Sequence, residues 1–323
     1  MDPIESFISL YNDLNPPAID QLVSPPTTLQ FMRYVARNRP FVVRSGAKHW
    51  AAVKKWDASY LRQKLQGLQV RVALTPQGNA DAVVQDEGGR LLFAEPYEVQ
   101  EPFGDFLDYI QNGASEEQEA VKYAQPQNDS LRLEYPILFP DVPDDISFFT
   151  QALETEIDGI NFWLGNDRST TSLHKDNYEN CYVQIRGQKH FTLLPPVCMP
   201  CVNETALPFA RFDRSLNPAI SPGEPIPVPI WDPDEPQARA TKYSPLAQPL
   251  RVTLHAGDMM YLPAMWYHKV RQGNGPEGFS CSVNYWYDMD FSGHFWTSNA
   301  FVRDVLHAKA GEVDYPDLDL DSK

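Results

Sequence analysis

Cysteine is scarce in this sequence, long apolar runs are missing and positive charge is in short supply; each shortage narrows what the protein can be. Four cysteines in 323 residues, Cys181, Cys198, Cys201 and Cys281, are too few to scaffold a chain of this size with disulfides. Cys198-Met-Pro-Cys201 has the spacing of half a zinc site, but no second Cys or His pair stands at a matching distance, and it reads as loop. No stretch approaches the roughly 18 apolar residues of a membrane-spanning helix. Met1 to Pro17 has no basic segment followed by an apolar core, so neither secretion nor a membrane is expected and the cytoplasm, with the nucleus beside it, is the expected location. Only 27 Lys and Arg face 43 Asp and Glu, a formal charge of -16. That field repels a phosphate backbone, which disfavours nucleic acid as a partner and favours a basic peptide or a lysine-bearing protein surface, although acidic charge also serves solubility alone.

What is present is a chain with 42% hydrophobic residues and 29 prolines, long enough to bury a substantial core and broken into short elements. Ile4, Phe7, Ile8 and Tyr11 recur at helical spacing until Pro16-Pro17. Phe41–Val43 and Val70–Leu74 read as strands, and Asp57 can cap a short helix through Leu65, with Gly67 after its end. A further helix is expected from Pro102 to Gln111, with Phe103, Phe106, Leu107 and Ile110 on one face. Gly113 to Glu119 is polar and acidic, the best internal boundary.

From Ile160 the pattern changes to strands between turns: Ile160–Leu164, Asn180–Ile185, His190–Leu194, Arg251–His255, Met259–Leu262, Tyr267–Val270 and Phe279–Tyr287. Short strands without alternating helices argue for a mainly β, antiparallel sandwich or barrel, and a jelly roll fits the count. The expected organisation is a mixed α/β extension over 1–115, a β core over 116–290 and a C-terminal segment over 291–323. Within the core, 195–249 is too long and proline-rich for a plain connection and reads as an ordered insertion near a site. The last segment reads as a helix from Gly293 to Ala310, with Phe295, Trp296 and Val302 available for packing, followed by an acidic tail from Glu312.

In Leu173-His174-Lys175-Asp176 the histidine and aspartate are two residues apart, so on an extended strand both point to one face. Two His and one carboxylate on one face of an octahedron hold iron(II) in oxygenases and leave positions for a co-substrate and dioxygen. His268, in Trp266-Tyr267-His268, can supply the second imidazole. Alone, His-x-Asp is weak, since an isolated strand histidine is more often a core or surface residue. A 2-oxoglutarate co-substrate also needs a cation and hydroxyl or amide groups for its far carboxylate inside an apolar barrel. Thr171, Asn180 and Lys189 are candidates.

Asn161-Phe162-Trp163-Leu164-Gly165, Thr171 to Asp176 with Tyr178-Glu179-Asn180, and Gly187-Gln188-Lys189-His190-Phe191 resemble the jumonji C (JmjC) oxygenase family. Gly257-Asp258 through Leu262-Pro263, Trp266-Tyr267-His268 and Val283 to Asp288 continue the likeness in order. Upstream it reaches Val70 to Ala82, and the sequence looks most similar to the branch of bifunctional peptidases and (3S)-lysyl hydroxylases. The resemblance implies a double-stranded β-helix, cupin-like core with flanking helices. It places iron(II) on His174, Asp176 and His268, and 2-oxoglutarate near Lys189, Thr171 and Asn180. It adds Asn284, Trp286 and Tyr123 to the co-substrate pocket, with Tyr135 a competitor for the last place, and Tyr178 and Trp286 facing substrate. Asn177 departs from relatives that carry histidine there, a change at the substrate rim. The implied activity is protein lysyl hydroxylation using dioxygen, with a translation-factor-type GTPase as client and a homodimer contact through the terminal segments. N-methyl demethylation, peptide cleavage and a catalytically silent binding module remain as alternatives.

Overall fold

Alternation along single strands sets the architecture. In Gln188–Leu194 the odd positions Lys189, Phe191 and Leu193 are buried while Gln188, His190 and Thr192 are half-buried, as expected of a strand with one covered face. In Tyr178–Arg186 and Ser280–Asp288 almost every residue is buried, which marks strands covered on both sides. These are the two layers of a sandwich, seen in a computed structural model that describes residues 2–112 and 120–310. The acidic break at 113–119 and the tail from Glu312 lie outside the described residues.

The first part of the chain contributes α1 (Pro3–Leu14), β1 (Asp20–Leu22), α2 (Thr28–Arg37), β2 (Phe41–Val43), α3 (Ala51–Lys55), α4 (Ala58–Lys64), β3 (Gln69–Thr75), β4 (Asn79–Ala80), β5 (Ala82–Gln85), β6 (Leu91–Glu95), β7 (Tyr97–Pro102) and α5 (Phe103–Asn112). Then follow β8 (Val121–Tyr123), α6 (Ser130–Leu133), α7 (Ser147–Leu153), β9 (Ile157–Gly165), β10 (Thr170–His174), β11 (Tyr178–Arg186) and β12 (Gln188–Leu194). The insertion holds β13 (Glu204–Leu207), β14 (Phe209–Phe212), β15 (Pro218–Ile220) and β16 (Ile226–Pro229); β17 (Leu250–His255), β18 (Met259–Leu262), β19 (Tyr267–Gly273), β20 (Ser280–Asp288) and α8 (His294–Ala310) complete the described chain. Among the described residues no helix is long and apolar enough to cross a membrane.

One sheet runs β1-β2-β18-β11-β20-β9 and the other β17-β12-β19-β10-β4. They enclose an apolar layer that includes Tyr182, Phe191, Met260, Leu262 and Val270. The outer face of the six-stranded sheet is covered by helices: Phe149 of α7 stacks on Tyr287 at 5.2 Å and meets Phe31 of α2 at 4.2 Å. Helix α2 is fixed by a capping box between Thr27 and Gln30, which satisfies two otherwise orphaned backbone donors. This is the mainly β, cupin-like double-stranded β-helix with helices at both ends.

The insertion is ordered and builds outward. Strand β14 pairs in parallel with β6, which pairs with β5, while β13 and β16 form their own ribbon. Pro196–Cys201 is a 3-10 turn with both cysteines buried beside Leu173 and Tyr267, so the Cys-x-x-Cys segment expected to be loop is a packed element whose thiols are free.

Candidate metal centre and co-substrate pocket

Two strands and the link between β10 and β11 bring the expected metal ligands together, though not as simple alternation predicts. Strand β10 stops at His174, and Asp176 lies in the short link to β11, so the two do not share a strand face as expected. The register supplies the correction. Thr171 is opposite Val270 and His174 is opposite His268, with an irregularity between them; Ser172 and Leu173 on β10 stand against Lys269 alone on β19, and this bulge turns His174 inward beside Thr171. Asp176 is then fixed by its backbone, its carbonyl accepting from the Met265 N–H at 2.8 Å.

The ligating atoms of His174, Asp176 and His268 all lie within 4.8 Å of one another. Asp176 Oδ2 is 3.9 Å from His174 Nε2 and 3.6 Å from His268 Nε2. Those separations are shorter than two metal–ligand bonds of about 2.1 Å each, so one ion can touch all three. His174 Nδ1 meets the Ser172 carbonyl at 2.7 Å and His268 Nδ1 meets the Trp266 carbonyl at 3.0 Å. A carbonyl only accepts, so each Nδ1 carries the proton and each Nε2 offers its lone pair to the shared point. Burial, aided by the nearby His174, pushes His268 down to about 4, which keeps its ring neutral. The donor set fits a hard or borderline divalent cation with open positions.

Farther along the same inner face lies a buried cation. Lys189 is 1% exposed and pairs in register with Gln272, while Leu193 pairs with His268. Gln272 and His268 are thus four residues apart on β19, about 13 Å along the strand. Lys189 Nζ crosses the sandwich to donate to Ser282 Oγ at 2.6 Å and lies 3.5 Å from Tyr123 Oη. The Trp163 and Tyr182 rings lie 5.2 and 4.9 Å away. No carboxylate pairs with it among the described residues, and burial pushes its ammonium down to about 7. A buried ammonium held only by hydroxyls and ring faces leaves a place for an anion.

Tyr123 accepts from Gln272 Nε2 at 2.9 Å, which leaves its own hydrogen to donate. Its ring occupies the place of a side chain at Gly165: a Cβ there would stand 2.6 Å from Tyr123 Cδ2. Tyr135, the competitor, is buried on the far side of the six-stranded sheet, its ring 4.6 Å from Phe162. Trp163 Nε1 donates to Asn284 Oδ1 at 2.7 Å, and Asn284 Nδ2 donates to Asn180 Oδ1 at 3.1 Å. The Asn180 amide nitrogen therefore faces the interior with its hydrogens uncommitted, and Asn284 acts as its support. Thr171 shares the inner face by register. Trp286 stacks on Tyr178 at 4.7 Å, and its buried Nε1 has no hydrogen-bond partner.

A model of the "Cupin-like domain" matches residues 26–293. The Homo sapiens "Bifunctional peptidase and (3S)-lysyl hydroxylase JMJD7" is 38% identical over 288 residues, covering 85% of this chain and 86% of that protein. The chain belongs to the JmjC family of cupin-like oxygenases. Within that family the Arabidopsis thaliana "Lysine-specific demethylase JMJ32" is 35% identical over 90% of this chain and 87% of its own length. The Dictyostelium discoideum "JmjC domain-containing protein E" is 33% identical over 89% and 91%.

Sequence reading missed several JmjC-pocket residues. Gln272 and Ser282 carry no role in the sequence reading, yet period-two counting from His268 and back from Asn284 reaches both. Gly165 ends the Asn161–Gly165 segment of the family likeness, but its value depends on a ring from β8. Asp81 sits in the bend between β4 and β5 with φ +53°; it falls inside the Val70–Ala82 stretch of the resemblance, but nothing in its spacing assigns it a role. Burial pushes its carboxyl up to about 6, opposed by the His174 imidazole and reinforced by Glu95, Asp176 and Glu98.

Proposed function

We propose that this chain hydroxylates a lysine side chain of a protein client at C-3, with iron(II) on His174, Asp176 and His268 and the far carboxylate of 2-oxoglutarate on Lys189. The observation that carries the reading is Lys189, a buried ammonium without an anionic partner, on the same inner face as the three ligands. Iron(II), when bound, supplies with 2-oxoglutarate and dioxygen the oxidising power to convert C–H to C–OH, the co-products being succinate and carbon dioxide.

The chain's own groups do the positioning. Lys189, with Ser282, Tyr123 and the Thr171 hydroxyl, fixes one end of the co-substrate, while the Asn180 amide, steadied by Asn284 and Trp163, donates along its length. Phe191, Val270 and Tyr182 exclude water. Such fixed placement is the protein's main contribution in cofactor chemistry of this kind. Lysine as target draws on the similarity to the human lysyl hydroxylase and on the -16 charge, which attracts basic clients. A translation-factor-type GTPase is the client class we favour. Four unpaired thiols support a reducing compartment, in cytoplasm or nucleus.

The Arabidopsis relative named as a lysine-specific demethylase favours a second reading, removal of an N-methyl group by the same centre. Both are tested by incubating the purified protein and His174→Ala with iron(II), 2-oxoglutarate and lysine or methyl-lysine peptides, following succinate and peptide mass. Hydroxylation adds one oxygen and demethylation removes one methylene. Equal succinate from the two proteins would leave a silent module.

A further inference from the structure

Asp81 is an acid without a partner in a place that otherwise pairs its acids. It follows β4, which runs in parallel beside β10 with Ala80 opposite Thr171, and it opens the strand β5 that begins the rim sheet. Gly78 makes this docking possible: its φ is +80°, and a Cβ there would stand 2.0 Å from the Arg168 carbonyl oxygen. The Asp81 carboxyl is half-buried and within electrostatic reach of His174 and Asp176. Its acidic neighbours are neutralised, Glu95 by Arg211 and Glu98 by Arg71. Lys175, next to His174 in sequence, is held by Glu204 and Tyr267. No hydrogen bond or ion pair engages Asp81 among the described residues.

Two structural roles are closed to it. It does not orient His174, whose Nδ1 is already on the Ser172 carbonyl. Nor does it belong to the group of three ligand atoms that share one point. A desolvated carboxylate with no cation is unfavourable unless a ligand supplies one.

We infer that Asp81 receives the ammonium group of the substrate lysine and so selects a cationic side chain at the metal centre. The inference rests on the lysyl hydroxylase reading and deepens it. Lysine C-3 is four bonds from its nitrogen, so with C-3 at the open side of His174 and Asp176 the ammonium lies a short distance off, and Asp81, which follows the strand paired with β10 beside Thr171, is the unpaired acid within electrostatic reach. A demethylase would instead put the N-methyl carbon at the metal, with the nitrogen one bond from it, and a carboxylate displaced toward the rim would not serve it.

The test compares two pools of capped, randomised peptides, one with a single central lysine and one with norleucine in its place. Affinity is read by fluorescence anisotropy on protein loaded with manganese(II) and N-oxalylglycine, an unreactive 2-oxoglutarate analogue. The wild type should prefer the lysine pool by about tenfold or more, as for a charge-assisted hydrogen bond. Asp81→Asn should bring that ratio close to one by weakening the lysine pool, and Asp81→Glu should restore part of it. Because the readout is a ratio within one protein, partial misfolding does not imitate it. A wild-type ratio of one, or an unchanged ratio in Asp81→Asn, overturns the assignment. Hydroxylysine formed by the wild type alongside an unchanged ratio overturns the role of Asp81 alone, whereas product on an uncharged side chain overturns both.

Discussion

Replacing Lys189 with methionine keeps the length of the side chain and removes a buried positive charge, which separates what that charge does for function from what it does to stability. In the protein without co-substrate, burial lowers the lysine from 10.5 to about 7, equivalent to about 5 kcal/mol of destabilisation when the group is charged. Below pH 7 both folded and unfolded chains hold the proton and the whole penalty applies. Between pH 7 and 10.5 the folded state releases it while the unfolded state keeps it, so stability rises with pH. From pH 7 to 9 this contributes about 2 kcal/mol, a slope that Lys189→Met should lack. At pH 6 to 7 the variant should be the more stable apoprotein, as expected when a buried charge is replaced by a hydrophobe of similar volume. Urea denaturation from pH 6 to 9, with and without manganese(II) and N-oxalylglycine, measures both effects. The wild type should be stabilised by the analogue and Lys189→Met should not. A variant that is less stable than wild type at pH 6 and still gains stability from the analogue would refute the account of Lys189 as the carboxylate's counter-ion.

Tyr123→Phe deletes one hydroxyl beside Lys189 and should raise the KM for 2-oxoglutarate about five- to tenfold with little change in kcat, measured by succinate formation. His268→Ala removes one of three ligands and should abolish stoichiometric manganese or iron binding, read by elemental analysis of the dialysed protein; retained metal would count against the site. Gly165→Ala forces a methyl group against the Tyr123 ring and should cost about 1 to 3 kcal/mol. Its denaturation midpoint should recover when combined with Tyr123→Ala, and additive losses would contradict the contact. Phe149→Ala opens a cavity between Phe31 and Tyr287 and should cost about 3 to 5 kcal/mol in equilibrium unfolding.

The residues that alternate most regularly were the most legible. All seven strands expected after Ile160 are present, each within a residue or three of its expected limits, because their apolar positions repeat with the pleat. Helices α1, α4, α5 and α8 were equally visible through spacing and caps. Strand β10 carries Thr170, Thr171 and Ser172 and offers no apolar alternation, so neither its bulge nor the exit of Asp176 from the strand could be read. Strands β13 to β16 lie in a proline-rich stretch and are held by partners, two of them through a sheet shared with β5 and β6. Helices α2 and α7 were overlooked, although Thr27 and Gln30 carry a capping box in plain sequence. The site followed the same division. His174, Asp176, His268 and Lys189 were found through chemistry and family likeness, whereas Asp81 depends on which acids already have partners, a property of three-dimensional pairing.

Strand β2 hydrogen-bonds to β18, so Phe41–Val43 meets Met259–Tyr261 over two hundred residues later in the chain. A ribosome therefore delivers one edge of the larger layer long before the strand that covers it. Until then Phe41, Val42 and Val43 present an apolar backbone edge open to pairing with other nascent chains, and the distant closure slows completion of the sheet. Fragments that end before β18 should therefore collect in the insoluble fraction on expression.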